Sequence, residues 1–154
     1  MIASAVVKKL SKKKATLSVA ESITGGGLAA AITEVAGSSK VFLGGVIAYA
    51  DDVKINELKV DAKMLKKFTA VSEEVAKAMA SGVRKRFNSD YAIATTGVAG
   101  PGAAYGQRAG TVWVAIASKK EVFAIALSLR GSRDLIRHAT IESALASFER
   151  ILKP

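Results

Sequence analysis

The sequence of 154 residues contains no cysteine, two prolines and one histidine. The absence of cysteine excludes disulfides, thiolate metal sites and a cysteine nucleophile, and it is compatible with a reducing cytoplasm. One histidine and scattered carboxylates show no metal-ligand spacing, so we expect neither a metal nor another cofactor. Half of the residues are hydrophobic and proline is scarce, which is typical of a compact globular chain.

Long apolar runs are also missing. Charges or glycines interrupt each apolar stretch before it reaches the roughly 20 residues that a membrane span needs. The N-terminus has no signal-peptide pattern, and residues 1–10 instead predict a first helix. We therefore expect a cytoplasmic protein without membrane contact, folded as a single domain over residues 1–154.

Acidic residues are few: 13 Asp and Glu stand against 23 Lys and Arg, a net charge of +10. Such an excess raises the question of a nucleic-acid partner. The basic clusters 12–14, 84–86 and 119–120 lie at predicted helix ends or in a turn between strands, where cations complement the helix dipole or are solvated. No nucleic-acid-binding signature accompanies them, so the sequence argues against such a partner.

Hydrophobic periodicity predicts alternating strands and helices, followed by a late hairpin. The predicted strands are 15–20, 41–49, 91–96, 111–117 and 121–127. The predicted helices are 1–10, 25–36, 51–58, 61–69, one capped by Ser72 and ending near Phe87, and one starting near Ser132 with Leu135, Leu145, Phe148 and Leu152 on one side. This order predicts an α/β fold with a mixed sheet and helices on both faces.

Ligands of such sheets collect at the C-terminal ends of strands, so the chain exits after Ala20, Tyr49 and Thr96 are candidates for one cleft. Ser22 lies in the first exit, where three glycines separate a strand from a helix. A hydroxyl at such a turn is exposed while its backbone is held, which suits a nucleophile. The alternative is a glycine-softened turn in which Thr24 is the N-cap of the next helix.

Two side chains are candidate bases for Ser22. His138 has a spacing that favours a packed or Asp134-paired helical histidine. Lys54 lies at the start of a helix capped by Asp51 or Asp52, where the helix dipole and partial desolvation would lower its pKa. The alternative is a solvated lysine paired with Asp51 or Glu57.

A glycine-rich loop over residues 97–102 follows the third predicted strand. It lacks the lysine and hydroxyl residue that end a nucleotide P-loop, and its spacing does not match a dinucleotide fingerprint. Its main-chain N–H groups could still bind an anion or form an oxyanion hole. Arg130, Arg133 and Arg137 could add a phosphate clamp, although a solvated helix face accounts for them equally well.

Six ordered segments together carry a family resemblance that covers the chain from about residue 8 to its end. They are Val19-Ala20-Glu21-Ser22-Ile23-Thr24-Gly25-Gly26, Val41 to Tyr49 with Lys54 five residues on, Ala70-Val71-Ser72-Glu73-Glu74-Val75, Thr96-Gly97-Val98-Ala99-Gly100-Pro101-Gly102, Gly110-Thr111-Val112-Trp113 and Arg130-Gly131-Ser132-Arg133. In this order they resemble the C-terminal domain family of the competence/damage-inducible protein CinA, known as nicotinamide mononucleotide deamidase. The resemblance implies a three-layer α/β/α sandwich, no metal, and a homodimer.

The resemblance also implies roles for residues. It implies hydrolysis of the carboxamide of nicotinamide mononucleotide, with Ser22 as nucleophile, Lys54 as its base and Tyr49 lining the same site. Further residues would surround the substrate: Glu21, Thr24, Gly25, Gly26, Thr96, Gly97, Gly100, Gly102, Arg133 and Arg137. The rival hypotheses are a non-catalytic module that binds a mononucleotide or nucleic acid, and an amidohydrolase acting on another amide.

Three positions depart from the family pattern. Ile23 replaces the cysteine that commonly follows the serine. Asp51 replaces an asparagine two residues after Tyr49, and its carboxylate would raise the pKa of the proposed base. Residues 103–108 replace a stretch that usually continues with glycine and a Lys-Pro pair. These departures bear on substrate preference and rate.

Overall fold

The structure, a computed structural model, describes residues 1–153. Within these residues the chain forms six α-helices and five β-strands. The helices are α1 (Ile2–Lys13), α2 (Gly27–Thr33), α3 (Asp51–Leu58), α4 (Ala62–Phe68), α5 (Glu73–Phe87) and α6 (Arg133–Ile151). The strands are β1 (Leu17–Glu21), β2 (Phe42–Ile47), β3 (Tyr91–Gly97), β4 (Thr111–Ser118) and β5 (Val122–Ser128).

The five strands form one sheet in the order β2-β1-β3-β4-β5. β1 pairs in parallel with both β2 and β3, whereas β4 is antiparallel to β3 and to β5. The predicted mixed sheet and late hairpin are therefore confirmed. The carboxyl ends of β1, β2 and β3 meet at one edge of the sheet, which is where their following loops must come together.

Helices cover both faces of the sheet. On one face α1, α2 and α6 pack on the sheet through side chains such as Leu28 and Phe148, against Val19 and Ile93. On the other face α3, α4 and α5 bury the stripe that includes Met79. The predicted three-layer α/β/α sandwich is confirmed, and none of the described helices has the length and apolarity to span a bilayer.

Local capping chemistry explains where the two longest helices begin. The Ser72 hydroxyl accepts from the main-chain N–H of Val75, and the Ser132 hydroxyl accepts from that of Leu135. Each serine satisfies an N–H group that has no partner inside its helix. Both predicted starts are confirmed. Leu135, however, is 60% exposed and does not share the buried side of α6 with Phe148.

Two predicted caps differ in the structure. Gly26, not Thr24, is the N-cap of α2, and the helix ends at Thr33 instead of residue 36. Ala50, not Asp51 or Asp52, is the N-cap of α3, and both aspartates lie in the first helical turn. Gly26, two residues after Thr24, has a left-handed backbone, and Ala50, directly before Asp51, has an extended one, so both have the non-helical backbone of a cap position.

The glycine pair in β2 brings that strand against β1. Leu17 pairs with Phe42 but Ser18 pairs with Gly44, so β2 contains a bulge. A Cβ atom on Gly45 would lie 2.4 Å from the Val19 carbonyl oxygen, so only glycine fits there. This close approach places the chain that follows β2, including α3, beside the end of β1.

Candidate active site

Ser22 and Lys54 form a pair at the carboxyl edge of the sheet. Ser22 directly follows β1, and Lys54 lies on α3, which begins shortly after the neighbouring strand β2. The Lys54 Nζ atom lies 3.2 Å from the Ser22 Oγ atom and donates to the Tyr49 carbonyl oxygen at 3.1 Å. The parallel pairing of β1 with β2 thus brings together two residues that are 32 positions apart in the sequence.

Lys54 is buried, with only 1% of its surface exposed. Burial disfavours the charged ammonium and lowers the pKa of Lys54, while the Asp51 carboxylate, 4.0 Å away and half-exposed, opposes this shift. The effect of burial is the larger one, so the pKa of Lys54 lies below its ordinary value. A neutral amine is able to accept a proton, so this lysine suits a general base.

The alternative of a solvated lysine is wrong for Lys54. Its side chain is enclosed, and Glu57, one of the two proposed partners, forms its ion pair with Arg86 instead. The other candidate base, His138, is exposed on α6 and is not packed as expected. Of the two candidate bases, Lys54 is therefore the one that lies beside Ser22.

The Glu21 carboxylate holds the turn that carries Ser22. Its Oε1 atom accepts from the Thr24 hydroxyl at 2.5 Å and from the N–H groups of Gly26 and Leu28 at 3.2 and 2.8 Å. Its Oε2 atom accepts from the Ala29 N–H at 3.0 Å. Because the N-cap Gly26 has no side chain, this buried carboxylate satisfies the first N–H groups of α2 in its place.

Main-chain hydrogen bonds fix Ser22 between two strands. The Ser22 N–H donates to the Thr95 carbonyl at 3.0 Å, and the Ala48 N–H donates to the Glu21 carbonyl at 2.7 Å. The Gly25 N–H donates back to the Ser22 carbonyl at 3.1 Å. The hydroxyl is therefore presented by a backbone that is tied to β3 on one side and to the chain after β2 on the other.

The glycines of the turn have no free N–H groups at its centre. The Gly25 N–H is used by Ser22 and the Gly26 N–H by the Glu21 carboxylate. By contrast, the N–H groups of Ile23 and Thr24 have no acceptor within the part of the chain that the structure describes. Within this turn, the N–H groups available to a developing oxyanion are therefore those of Ile23 and Thr24 and not those of the glycines.

A pocket of about 270 Å³ opens beside Ser22. The glycine-rich loop that follows β3 forms much of its wall, through Gly97, Gly100 and Gly102 together with Thr96. The Thr96 hydroxyl donates to the Ala70 carbonyl at 2.6 Å, so it also ties the segment before α5 to the pocket.

One part of the wall and the side chain that holds it were not predicted from the sequence. Ala70 and Val71 line the pocket, and the Gln107 side chain donates to the Val71 carbonyl at 2.8 Å. This bond holds residues 103–108, which follow the glycine-rich loop, against the segment before α5. The available signals were that Ala70 and Val71 belong to one of the six segments that carry the family resemblance, and that Gln107 belongs to the 103–108 stretch that departs from it.

The predicted arginine clamp separates into two roles. Arg133 lies at the pocket mouth, where its guanidinium donates to the Gly100 carbonyl at 2.8 Å and to the Tyr49 hydroxyl at 3.2 Å. Arg137 lies behind the turn and donates to the carbonyl groups of Ile23 and Thr24, at 3.2 and 2.9 Å. Only Arg133 is therefore placed where it could meet a bound phosphate.

Apart from Lys54, which is buried beside Ser22, the predicted site residues fall into two groups. The first lies on the pocket wall: Ser22, Tyr49, Thr96, Gly97, Gly100, Gly102 and Arg133. The second does not line the pocket: Glu21, Thr24, Gly25, Gly26 and Arg137. Glu21 and Arg137 instead hydrogen-bond to the turn that carries Ser22, and the expected contacts of this group with substrate stay a prediction.

The fold and the site define a class of three-layer α/β/α proteins in which a buried lysine meets a serine at the carboxyl edge of a mixed sheet. Residues 1–152 match the CinA C-terminal domain family. The chain belongs to this family.

Similar proteins agree with that assignment. A CinA-like protein of Gemmatimonas aurantiaca is 44% identical over 150 residues, which are 97% of this chain and 35% of that protein. A crystal structure of a competence-damaged protein (CinA) superfamily protein from Klebsiella pneumoniae superposes with a TM-score of 0.96 at 32% identity, covering 98% of this chain and 95% of that one. The competence/damage inducible protein CihA from Agrobacterium tumefaciens gives a TM-score of 0.95 at 34% identity, covering 99% and 94%. The chain spans about a third of the length of the curated relatives it matches.

Proposed function

We propose that this protein is an amidohydrolase that converts nicotinamide mononucleotide to nicotinic acid mononucleotide and ammonia. The family resemblance suggests the substrate, and the site suggests the chemistry. The observation that carries the proposal is the buried Lys54 amine, 3.2 Å from the Ser22 hydroxyl. A lysine with a lowered pKa beside a serine is a known means of activating a hydroxyl nucleophile.

In the first step the Ser22 Oγ atom attacks the carboxamide carbon while its proton passes to the neutral Lys54 amine. The Tyr49 carbonyl accepts from the same amine and orients it. The free N–H of Ile23 supports the negative charge that develops on the carboxamide oxygen. The tetrahedral intermediate then expels the amide nitrogen, which takes the proton from Lys54 and leaves as ammonia.

In the second step water attacks the ester on Ser22. Lys54, again neutral after losing its proton to ammonia, accepts a proton from this water. The ester bond breaks, the Ser22 oxygen takes the proton back, and the carboxylate product leaves. One lysine thus acts as base and acid in both halves of the reaction, which requires no other titrating group.

The pocket is compatible with a mononucleotide bound by its two ends. A volume of about 270 Å³ suits a single aromatic ring, so the pyridine carboxamide enters and the rest of the substrate stays at the mouth. Arg133 lies at that mouth, and a guanidinium is well suited to binding a phosphate through paired hydrogen bonds. Tyr49 is 60% exposed beside it and is held by the same arginine.

The decisive experiment measures ammonia release from nicotinamide mononucleotide, nicotinamide, its riboside and NAD. We expect turnover of the mononucleotide, and a loss of about a hundredfold or more in kcat in Ser22→Ala and Lys54→Met. Lys63→Met, at an exposed position on α4, is the matched control and should keep the wild-type rate. Binding without turnover would favour the non-catalytic module, and release from another amide would keep the dyad but change the substrate.

A further inference from the structure

Two adjoining clefts lie at the amino edge of the sheet, opposite the active site. The first, of about 540 Å³, lies between the end of α1 and the turn that joins β4 to β5. The second, of about 480 Å³, lies between α1 and the end of α6. Lys13 lines both clefts, so they form one continuous surface, which we call the amino-edge basic surface.

Sheet register explains why distant basic clusters meet here. α1 ends just before β1, whose first residue Leu17 pairs with Tyr91 at the start of β3. Tyr91 in turn pairs with Ser118 at the end of β4. Residues 12–14 and 119–120, which the sequence places at unrelated element ends, therefore lie on the same edge.

Most of the lysines on this surface have no acidic partner. Lys9 pairs with Glu149 and Lys119 pairs with Asp90. Glu121 also lines the first cleft. Six lysines of this surface form no ion pair within residues 1–153: Lys8, Lys12, Lys13, Lys14, Lys120 and Lys153.

Capping of α1 does not explain these lysines. The helix end is closed by main-chain bonds, from the Lys14 N–H to the Ser11 and Leu10 carbonyls and from the Ala15 N–H to the Leu10 carbonyl. Within the described residues, no side chain of Lys12, Lys13 or Lys14 forms a hydrogen bond. Their mutual repulsion therefore has no compensating contact in the free protein.

The composition of the surface indicates the kind of anion. Lysines are point charges without the planar fork of arginine, which suits sequence-independent contact with phosphates. None of the described residues that line either cleft is an exposed aromatic that could stack on single-stranded bases, or an exposed large apolar residue that could enter a bilayer. We propose that the amino-edge basic surface binds the phosphate backbone of double-stranded nucleic acid without sequence preference.

This surface is separate from the active site. β1 has five residues and thus spans roughly 17 Å between the two edges of the sheet. Binding at one edge leaves the Ser22 pocket open. The proposal reverses the expectation from sequence that the basic clusters are independent, solvated helix ends, because the structure joins them.

The test is fluorescence anisotropy with a labelled 24-base-pair DNA duplex of arbitrary sequence, titrated from 50 to 200 mM NaCl. With about six phosphate contacts, log K should fall with log salt at a slope of about −5. Lys12→Gln/Lys13→Gln/Lys120→Gln should weaken binding at 100 mM salt by at least about tenfold and reduce the slope by about three. Its ammonia release should match that of the wild type.

The control variant is Lys63→Gln/Lys66→Gln/Lys67→Gln on α4, which makes the same change in net charge at exposed positions outside both clefts. It should change affinity by less than about threefold. Equal weakening in the two variants would overturn the proposal, because net charge alone would then explain binding. So would the absence of duplex binding at 50 mM salt, or tighter binding to phosphatidylserine vesicles than to the duplex. Thermal melting of both variants checks that each is folded, and Lys13→Gln/Lys120→Gln replaces the triple variant if it is not.

Discussion

Replacement of Glu21 by glutamine tests whether a buried carboxylate positions the nucleophile. The substitution keeps the size of the side chain but removes its charge. It also replaces one acceptor oxygen with an NH2 donor. Because the partners of Glu21 are all donors, the new NH2 group faces an N–H or O–H group with which it cannot bond.

The magnitude follows from the four hydrogen bonds of that carboxylate. With the amide nitrogen at the Oε2 position, the bond from Ala29 is lost, which costs about 1–3 kcal/mol. Each of the three bonds at Oε1 changes from a charged to a neutral acceptor and loses about 1 kcal/mol. The lower cost of burying a neutral group offsets part of this, leaving a loss of about 2–4 kcal/mol. A domain with about 5–15 kcal/mol of stability stays folded.

Urea denaturation measures this loss, and steady-state kinetics measures its effect on the site. A displaced Ser22 hydroxyl should lower kcat by about ten- to a hundredfold while the KM for the mononucleotide changes little. The matched control is Glu73→Gln in the first turn of α5, where the carboxylate is 44% exposed and pairs with Lys77 at 3.0 Å. It should cost less than about 1 kcal/mol. The reasoning is refuted if Glu21→Gln is as stable and as active as this control.

Three further predictions concern the base, the packing of its helix and the pocket mouth. Burial lowers the pKa of Lys54, and the reaction needs the neutral amine. We therefore expect kcat/KM to rise with pH around a midpoint below the ordinary lysine pKa of 10.5. Asp51→Asn removes the carboxylate that raises this pKa, so it should move the rise to lower pH. Gly82→Ala should lower the free energy of unfolding, measured by urea denaturation, by about 1–3 kcal/mol. The added Cβ would lie 2.0 Å from the Leu58 carbonyl oxygen at the end of α3, and this clash outweighs the better helix propensity of alanine. Arg133→Met should raise the KM for the mononucleotide about tenfold or more without affecting that for the riboside, which has no phosphate.

Each of these has its own control. Asp52→Asn should leave the pH profile unchanged. A shift as large as that of Asp51→Asn would contradict the claim that the Asp51 carboxylate in particular raises the pKa of Lys54. Gly102 has no atom within 4 Å of an added Cβ, so equal instability of Gly102→Ala would contradict the steric argument. Arg130→Met should keep the wild-type KM. An equal rise in KM for the riboside would argue against a phosphate contact by Arg133.

Much of the fold could be predicted because its signals are local. The caps of α5 and α6 depend on a serine and the three residues after it, and the glycine pair in β2 marks its own bulge. The misplaced cap at Thr24 has a different cause. The first N–H groups of α2 donate to the carboxylate of Glu21, which belongs to the preceding strand, and a rule based on the nearest hydroxyl does not consider that residue.

For the candidate site, the sequence by itself determined that Ser22 and Lys54 each follow a strand, and the family resemblance proposed that they are partners. Only the tertiary structure decided that they lie 3.2 Å apart, and that Lys54 is buried. Only the tertiary structure separated Arg133 at the pocket mouth from Arg137 behind the turn. The physical reason is the sequence separation of the interacting residues, because helix caps and strand periodicity depend on neighbours along the chain. Burial, charge pairing and the direction of a pKa shift depend instead on atoms that strand pairing brings from elsewhere.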